Sequence, residues 1–288
     1  MTPSEGRAVV ALFAKPHRDA PAVLRRTVAC LQRHGAEILP DDAAAEALGR
    51  SDSFDRVDAA ARATLVISVG GDGTLLASAR AVGVRGTPIL GVNLGNLGFL
   101  TETRTEDVDR VIDLALTGKA PLERRHALVV QREVLSEPNA ELALNDVVVT
   151  QSLQRLFSVS LYVDDEWVAD YRADGLIIAT PTGSTAYSLS AGGPVMVPSV
   201  DALIVTPISP HSLSQRPLVL AGTARVMLAV AEGERHNGVR IAFDGQHFYP
   251  IDPGEKLSIT RSPHPIVLVR PPGRTFFATL RDKLGWGH

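Results

Sequence analysis

Gly70-Gly71-Asp72-Gly73-Thr74 is the clearest candidate for chemistry in this chain. Three glycines allow unusual dihedral angles and a close approach of the backbone to a ligand. Amides that open a following helix can receive an anion, so Gly70, Gly71, Gly73 and Thr74 form a candidate phosphate-binding turn. A carboxylate among phosphate oxygens is unfavourable unless it holds a metal or takes a proton. Asp72 is therefore a candidate proton acceptor in phosphoryl transfer, a reaction governed by positioning and charge stabilisation. The competing account is a tight strand-to-helix turn in which Asp72 caps the helix. G-x-x-x-x-G-K-[ST] is absent, so the chain is not a Walker-type NTPase. G-x-G-x-x-G is also absent, so an ordinary dinucleotide oxidoreductase loses support.

A second candidate runs from Arg172 to Pro194. An apolar strand, 176–179, leads into Thr180, Pro181, Thr182, Gly183, Ser184 and Thr185. Such a density of hydroxyls on a glycine-containing turn suits a polyhydroxylated or phosphorylated ligand, with Ala186 and Tyr187 available for apolar contact. Asn145-Asp146 interrupts the apolar stretch 142–149. Adjacent side chains of a strand face opposite ways, so at least one of this pair needs a polar partner. Recognition of ribose hydroxyls is the functional reading, and a turn or strand end is the simpler one.

The elements that must position these residues change character along the chain. Strands at 9–14, 37–39, 64–69 and 88–92 alternate with helices at 22–33, 41–48, 75–82 and 106–116. That alternation predicts a doubly wound parallel sheet. From about Pro121 the pattern becomes short strands with Asp, Gly, Pro and Asn between them: near Val129, then 143–149, 157–163, 167–171, 175–179, 202–207, 225–230, 239–243 and 257–260. A short helix is expected near 185–191 and a terminal one at 274–284. The expected organisation is an α/β domain over residues 1–121 and a β-rich domain over 122–272. The C-terminal helical segment, 273–288, is expected to pack back on the first domain.

Composition narrows the class. The chain has 288 residues, 45% hydrophobic, enough for one large domain or two ordinary ones. A net charge of −3 gives no basic field for nucleic acid. No apolar run reaches the length of a membrane span, and no signal peptide is evident, so a cytoplasmic enzyme is expected. Only Lys15, Lys119, Lys256 and Lys283 are lysines, so a phosphate clamp would rely on backbone amides, arginine and metal. Cys30 is the single cysteine, which argues against a disulfide and a cysteine-based zinc site. None of the eight histidines forms a metal-spaced pair, and His34, His211 and His247 read as surface or core residues. No protein metal site is expected.

Taken together, the chain resembles the NAD kinase family. The resemblance is carried by Gly70 to Thr74, Gly91-Val92-Asn93-Leu94-Gly95, Leu97-Gly98-Phe99-Leu100, Asn145-Asp146, Asp174 through Tyr187, Ser190 through Pro194 and the closing 280–286 segment. It implies an N-terminal α/β domain, a C-terminal β-sandwich domain and NAD bound between them. It also implies ATP-dependent phosphorylation of the adenosine ribose 2′-hydroxyl of NAD to NADP, a divalent metal such as Mg²⁺, and a homodimer or homotetramer. Carried over by position, Asp72 is the proton acceptor with Gly73 beside it. Asn145 and Asp146 hold ribose and adenine groups. The family often has asparagine-glutamate there. Arg155, Arg172 and Asp174 contact the nucleotide. Thr185, Ala186, Tyr187, Ser188, Leu189 and Ser190 lie on the turn lining the adenosine and nicotinamide pockets, and Asp244 aligns with a late contact. The residues leave open polyphosphate in place of ATP, acceptance of NADH and inhibition by NADP(H). A diacylglycerol-type lipid kinase and a non-catalytic dinucleotide sensor are the rival readings. The first lacks a basic amphipathic membrane segment here, and Asp72 disfavours the second.

Overall fold

The computed structural model describes residues 7–132, 141–151, 157–232 and 238–286. The chain divides into two compact units, one formed up to Arg124 and again from Ile266, the other by Arg125–Pro265.

The first unit is built on a six-stranded sheet. Its strands are β1 (Val9–Ala14), β2 (Glu37–Pro40), β3 (Leu65–Gly70), β4 (Ile89–Asn93), β5 (Leu122–Arg125) and β18 (Ile266–Val269), in the order β2-β1-β3-β4-β18-β5. The pairs from β2 to β18 are parallel. A parallel sheet must be covered on both faces, and β3 is buried at all six positions. Its helices are α1 (Ala20–Arg33), α2 (Asp42–Leu48), α3 (Arg56–Arg62), α4 (Asp72–Val82), α5 (Val108–Leu116) and α7 (Phe276–Leu284). Val10, Leu12, Leu65, Ile67 and Val69 share a core with Val23, Leu24 and Leu31 of α1 and Val108 and Ile112 of α5. The alternate residues Ala11, Phe13 and Val66 are equally buried, and the guanidinium of Arg56 on α3 lies over the Phe13 ring. Pro21 suits the first turn of α1, where an N–H would have no helical partner. Asp41 starts α2 by accepting from the Ala44 N–H, and Asp55 starts α3 by accepting from Val57 and Asp58.

The second unit is a sandwich of two antiparallel sheets. One contains β6 (Leu128–Arg132), β7 (Glu141–Ala143), β9 (Phe157–Val163), β10 (Glu166–Ala173), β14 (Val226–Val230) and β17 (Lys256–Arg261). The other contains β8 (Asp146–Gln151), β11 (Gly175–Ala179), β12 (Ala202–Ile208), β13 (Leu218–Ala221), β15 (Val239–Phe243) and β16 (His247–Pro250). Period-two alternation sends Val147, Val149, Leu176, Ile178 and Ile241 inward to meet Leu128, Val159, Leu161 and Leu257 of the facing sheet. The outward residues of the second sheet, Val148, Ile177, Ala179, Ile204 and Ala242, form a smaller core with Ala191 and Met196. The β11 strand is thus buried on both faces, which its unbroken apolar run requires. The α/β class of the first domain and the antiparallel class of the second match the sequence expectation.

The structure adds elements that local pattern did not reveal. Helix α3 and strands β5, β13, β16 and β18 were not expected. The strand expected over 143–149 is two, because the chain bends at Leu144 and Asn145. The helix expected near 185–191 is a 3₁₀ turn, Gly183–Thr185, followed by α6 (Tyr187–Ser190).

Candidate functional site

Asp72 is the first residue of α4 and follows the carboxyl end of β3, where ligands bind in open α/β sheets. Gly71 is the N-cap, and no side chain caps this helix. The Asp72 carboxylate instead faces the segment after β4. Its Oδ1 accepts from the N–H groups of Leu100 (3.2 Å) and Thr101 (2.9 Å) and from the Thr101 hydroxyl (2.8 Å). Its Oδ2 accepts one bond, from the Phe99 N–H (2.9 Å). Among the described residues, these four hydrogen bonds orient the Asp72 carboxylate, three of them on Oδ1 and one on Oδ2.

The clamp is itself anchored. Asn93, at the end of β4, donates from Nδ2 to the Thr101 hydroxyl at 2.7 Å, and its Oδ1 accepts from the Gly95 N–H at 2.7 Å. A Cβ at Gly98 would overlap the Asp72 carboxylate, so glycine is required there by close approach. Glu102 pairs with Arg270 beyond β18 at 2.5 Å and accepts from the Thr279 hydroxyl of α7 at 3.0 Å. A polar cleft of about 750 Å³ opens beside this segment, lined by 93–97 with Arg104, Glu106, Asp282 and Lys283. Gly70 serves internal packing, since a Cβ there would overlap the Thr74 side chain.

In the second unit a cavity of about 370 Å³ lies against the outward side of β8 and β15. Asn145, Asp146, Ala186, Tyr187, Arg240 and Phe248 line it. Asp146 is 3% exposed. Burial first, then the charge of Asp244, pushes its carboxyl from 3.8 up to about 7, and a hydrogen bond from the Tyr187 backbone opposes the shift. Asp244 has φ +51° and accepts from the N–H groups of Leu144 (3.0 Å), Asn145 (2.7 Å) and Asp146 (3.2 Å). It fixes the bend that presents the pair. Tyr187 is 46% exposed at the lip, so it is not a core residue.

Residues 10–120 match the profile of the ATP-NAD kinase N-terminal domain, and residues 144–271 that of the ATP-NAD kinase C-terminal domain. An NAD kinase of Saccharophagus degradans is 40% identical over 275 residues, covering 93% of this chain and 92% of that protein. The chain belongs to the NAD kinase family. An NAD kinase of Gemmatimonas aurantiaca is 44% identical over 227 residues, 77% of each chain. Among solved structures, yeast NADH kinase complexed with NADH superposes with a TM-score of 0.88 at 25% identity, covering 98% of this chain and 88% of that one. An NAD kinase from Archaeoglobus fulgidus in complex with ATP gives 0.79 at 26% identity, covering 96% and 98%. Membership in the NAD kinase family makes the chain a phosphotransferase, the class its glycine–aspartate turn implies.

Against this family background the structure sorts the residues read from sequence. Asn145, Asp146, Ala186, Tyr187 and Asp244 gather at one cavity. Arg172 and Asp174 are exposed at the β10–β11 link and do not line it. Ser188 is fully buried and bonds the Thr206 hydroxyl at 2.8 Å. Thr185 and Leu189 are half-buried and Ser190 is exposed. Arg155 lies outside the described residues. The hydroxyls of the 180–185 turn largely build the turn itself. Thr180 Oγ1 donates to the Leu144 carbonyl at 2.7 Å and accepts from the Gly183 N–H at 3.0 Å. Ser184 Oγ donates to the Pro181 carbonyl at 2.7 Å and accepts from the Met196 N–H at 2.9 Å. The fully buried Arg125 donates to Thr182 at 3.3 Å. A buried turn must satisfy its own polar groups, so hydroxyl density marked a wedge under the cavity. Asn93, Gly98 and Thr101 were missed as site residues. Gly91–Gly95 and 97–100 were recognised, but nothing local shows that they reach Asp72.

Proposed function

We propose that the chain transfers the γ-phosphoryl group of ATP to the adenosine ribose 2′-hydroxyl of NAD, giving NADP, with Asp72 as the proton acceptor. The observation that carries this reading is the Asp72 carboxylate at the end of β3, oriented by four hydrogen bonds of which Oδ2 accepts one. The hydroxyl proton passes to Oδ2 as the new O–P bond forms, and the bond to the bridging oxygen breaks with its electron pair leaving on ADP. An alcohol is a weak acid, so the carboxylate takes the proton during bond formation rather than before it. The opening turn of α4 and the turn Gly70–Thr74 face the phosphates in this reading. The neighbouring cleft offers room for the rest of the donor, with the bases Arg104 and Lys283 lining it beside the acids Glu106 and Asp282.

The donor would enter as its magnesium complex. Among the described residues, the group of three potential ligands is Cys30, His34 and Asp113, a set whose thiol does not suit magnesium. The ion would be held chiefly by the donor's phosphate oxygens and would offset their charge. Asn145, Asp146, Ala186 and Tyr187 hold NAD in this proposal, and Asp244 acts by fixing their bend. The relatives named NAD kinase, the yeast NADH kinase bound to NADH and the archaeal enzyme bound to ATP support acceptor and donor. The same reading makes the protein cytoplasmic and a homodimer or homotetramer; among the described residues no helix is long and apolar enough to cross a membrane.

The purified chain incubated with ATP, Mg²⁺ and NAD is expected to produce NADP, read by an NADP-specific dehydrogenase assay. NAD binding without NADP formation would instead favour a sensor. Phosphorylation of diacylglycerol with no action on NAD would favour the lipid kinase.

A further inference from the structure

Helices α1 and α5 lie on one face of the first unit's sheet. Cys30 and His34 sit one turn apart at the end of α1, on the same side of the helix. Asp113 of α5 reaches both. Its Oδ1 lies 3.5 Å from Cys30 Sγ and 2.7 Å from His34 Nε2, and one donor atom from each of the three residues lies within 4.8 Å of the others. The nearby acid Asp109 is engaged by Arg26 at 2.8 Å and Arg33 at 3.6 Å. Asp113 instead faces a thiol and an imidazole.

We propose that Cys30, His34 and Asp113 form a binding site for a borderline-soft divalent cation, Zn²⁺ by chemistry, which pins the end of α1 to α5. Thiolate, imidazole and carboxylate are the three zinc donors, and separations of this order need only a small widening of the His34–Asp113 pair for tetrahedral coordination. A water completes the fourth position, since His34 and Asp113 stand toward solvent. Magnesium and calcium are disfavoured by the sulfur. His34 is the C-cap of α1, where the last carbonyls favour a cation. Binding releases the Sγ proton to solvent and forms one metal–sulfur bond; the proton that His34 Nε2 shares with Asp113 leaves through solvent, with Nδ1 carrying the proton of the neutral ring, and two metal bonds replace that hydrogen bond. The site is independent of the phosphoryl-transfer reading.

The test uses the full chain, stripped of metal with a chelator, dialysed, and kept reduced with a phosphine. Co²⁺ alone is titrated in and absorption recorded. One equivalent per chain should produce a thiolate-to-cobalt band in the near ultraviolet and tetrahedral cobalt bands in the visible, both bleached by Zn²⁺. Zn²⁺ should also raise the melting temperature of the wild type. His34→Ala and Asp113→Ala should each weaken binding by about 10- to 100-fold or more, since even groups that merely orient metal ligands cost that much. Cys30→Ser should remove the near-ultraviolet band. If that variant does not fold, the two solvent-side variants decide the matter. A wild type showing no thiolate band in excess Co²⁺, or a His34→Ala variant that binds as tightly as the wild type, overturns the proposal.

Discussion

Thr101 meets Asp72 through two atoms, its N–H at 2.9 Å and its hydroxyl at 2.8 Å, both on the same carboxylate oxygen. The contact joins the helix after β3 to the segment after β4, neighbouring parallel strands. In the proposed reaction the proton goes to the other oxygen, Oδ2.

Asp72→Asn tests the proton acceptor. Turnover should fall by roughly 10²–10⁴, the usual contribution of a positioned base. An amide NH₂ would face the Phe99 N–H or the donors on Oδ1, so a stability loss of about 1–3 kcal/mol should accompany it. Near-normal kcat in a folded variant removes Asp72 from this role.

Thr101→Val keeps shape and removes the hydroxyl. Asp72 loses one donor, and the 5%-exposed Asn93 loses its 2.7 Å acceptor. Stability should drop by about 1–3 kcal/mol, and kcat by roughly two- to tenfold if half of that reaches the transition state. The KM for NAD should change little. Thr101→Ser should restore both quantities, and a valine variant with wild-type kcat would show the hydroxyl bond to be irrelevant to turnover.

Gly183→Ala tests the support beneath Asn145-Asp146. A Cβ at 183 would overlap the Asn145 carbonyl, which backbone constraints prevent from simply swinging aside. The bend must move, at about 1–3 kcal/mol, the usual range for overpacking. Calorimetric NAD affinity should weaken more than kcat falls. Unchanged affinity in a stable variant would detach this bend from NAD binding.

Asp146 predicts a pH dependence of stability. Its folded carboxyl is raised to about 7, so between about pH 4 and pH 7 the folded chain keeps a proton that the unfolded chain has released. That stabilising contribution is full below the ordinary carboxylate range and is lost as pH rises through 7. Asp146→Asn cannot ionise. The wild-type melting temperature should fall relative to the variant between about pH 5 and about pH 8. Parallel melting curves across that window would contradict the shift.

Particular elements show what the chain disclosed by itself. Val9–Ala14, Gly175–Ala179 and Val239–Phe243 end where their apolar runs end. Burial on one or both faces leaves a period in the residues, and a polar residue stops it, Lys15, Thr180 and Asp244 in these three. The Gly70–Thr74 turn at the end of β3 was legible too, because glycines and a carboxylate at a strand end are a local arrangement. The Asn145-Asp146 bend was present as an alternative. Its Asp244 brace was not, since that bond spans 99 positions.

Local order along the chain therefore determined the α/β class of the first unit, the antiparallel class of the second, the glycine–aspartate turn and most strand positions, because periodicity and turn chemistry act between near neighbours. Tertiary structure alone decided that Asp72 is clamped rather than capping, that the 180–185 hydroxyls brace a turn, and that Cys30, His34 and Asp113 meet. The physical reason is the same in each case. A buried polar group must find a partner, and nothing short of the packed chain determines which distant residue supplies it.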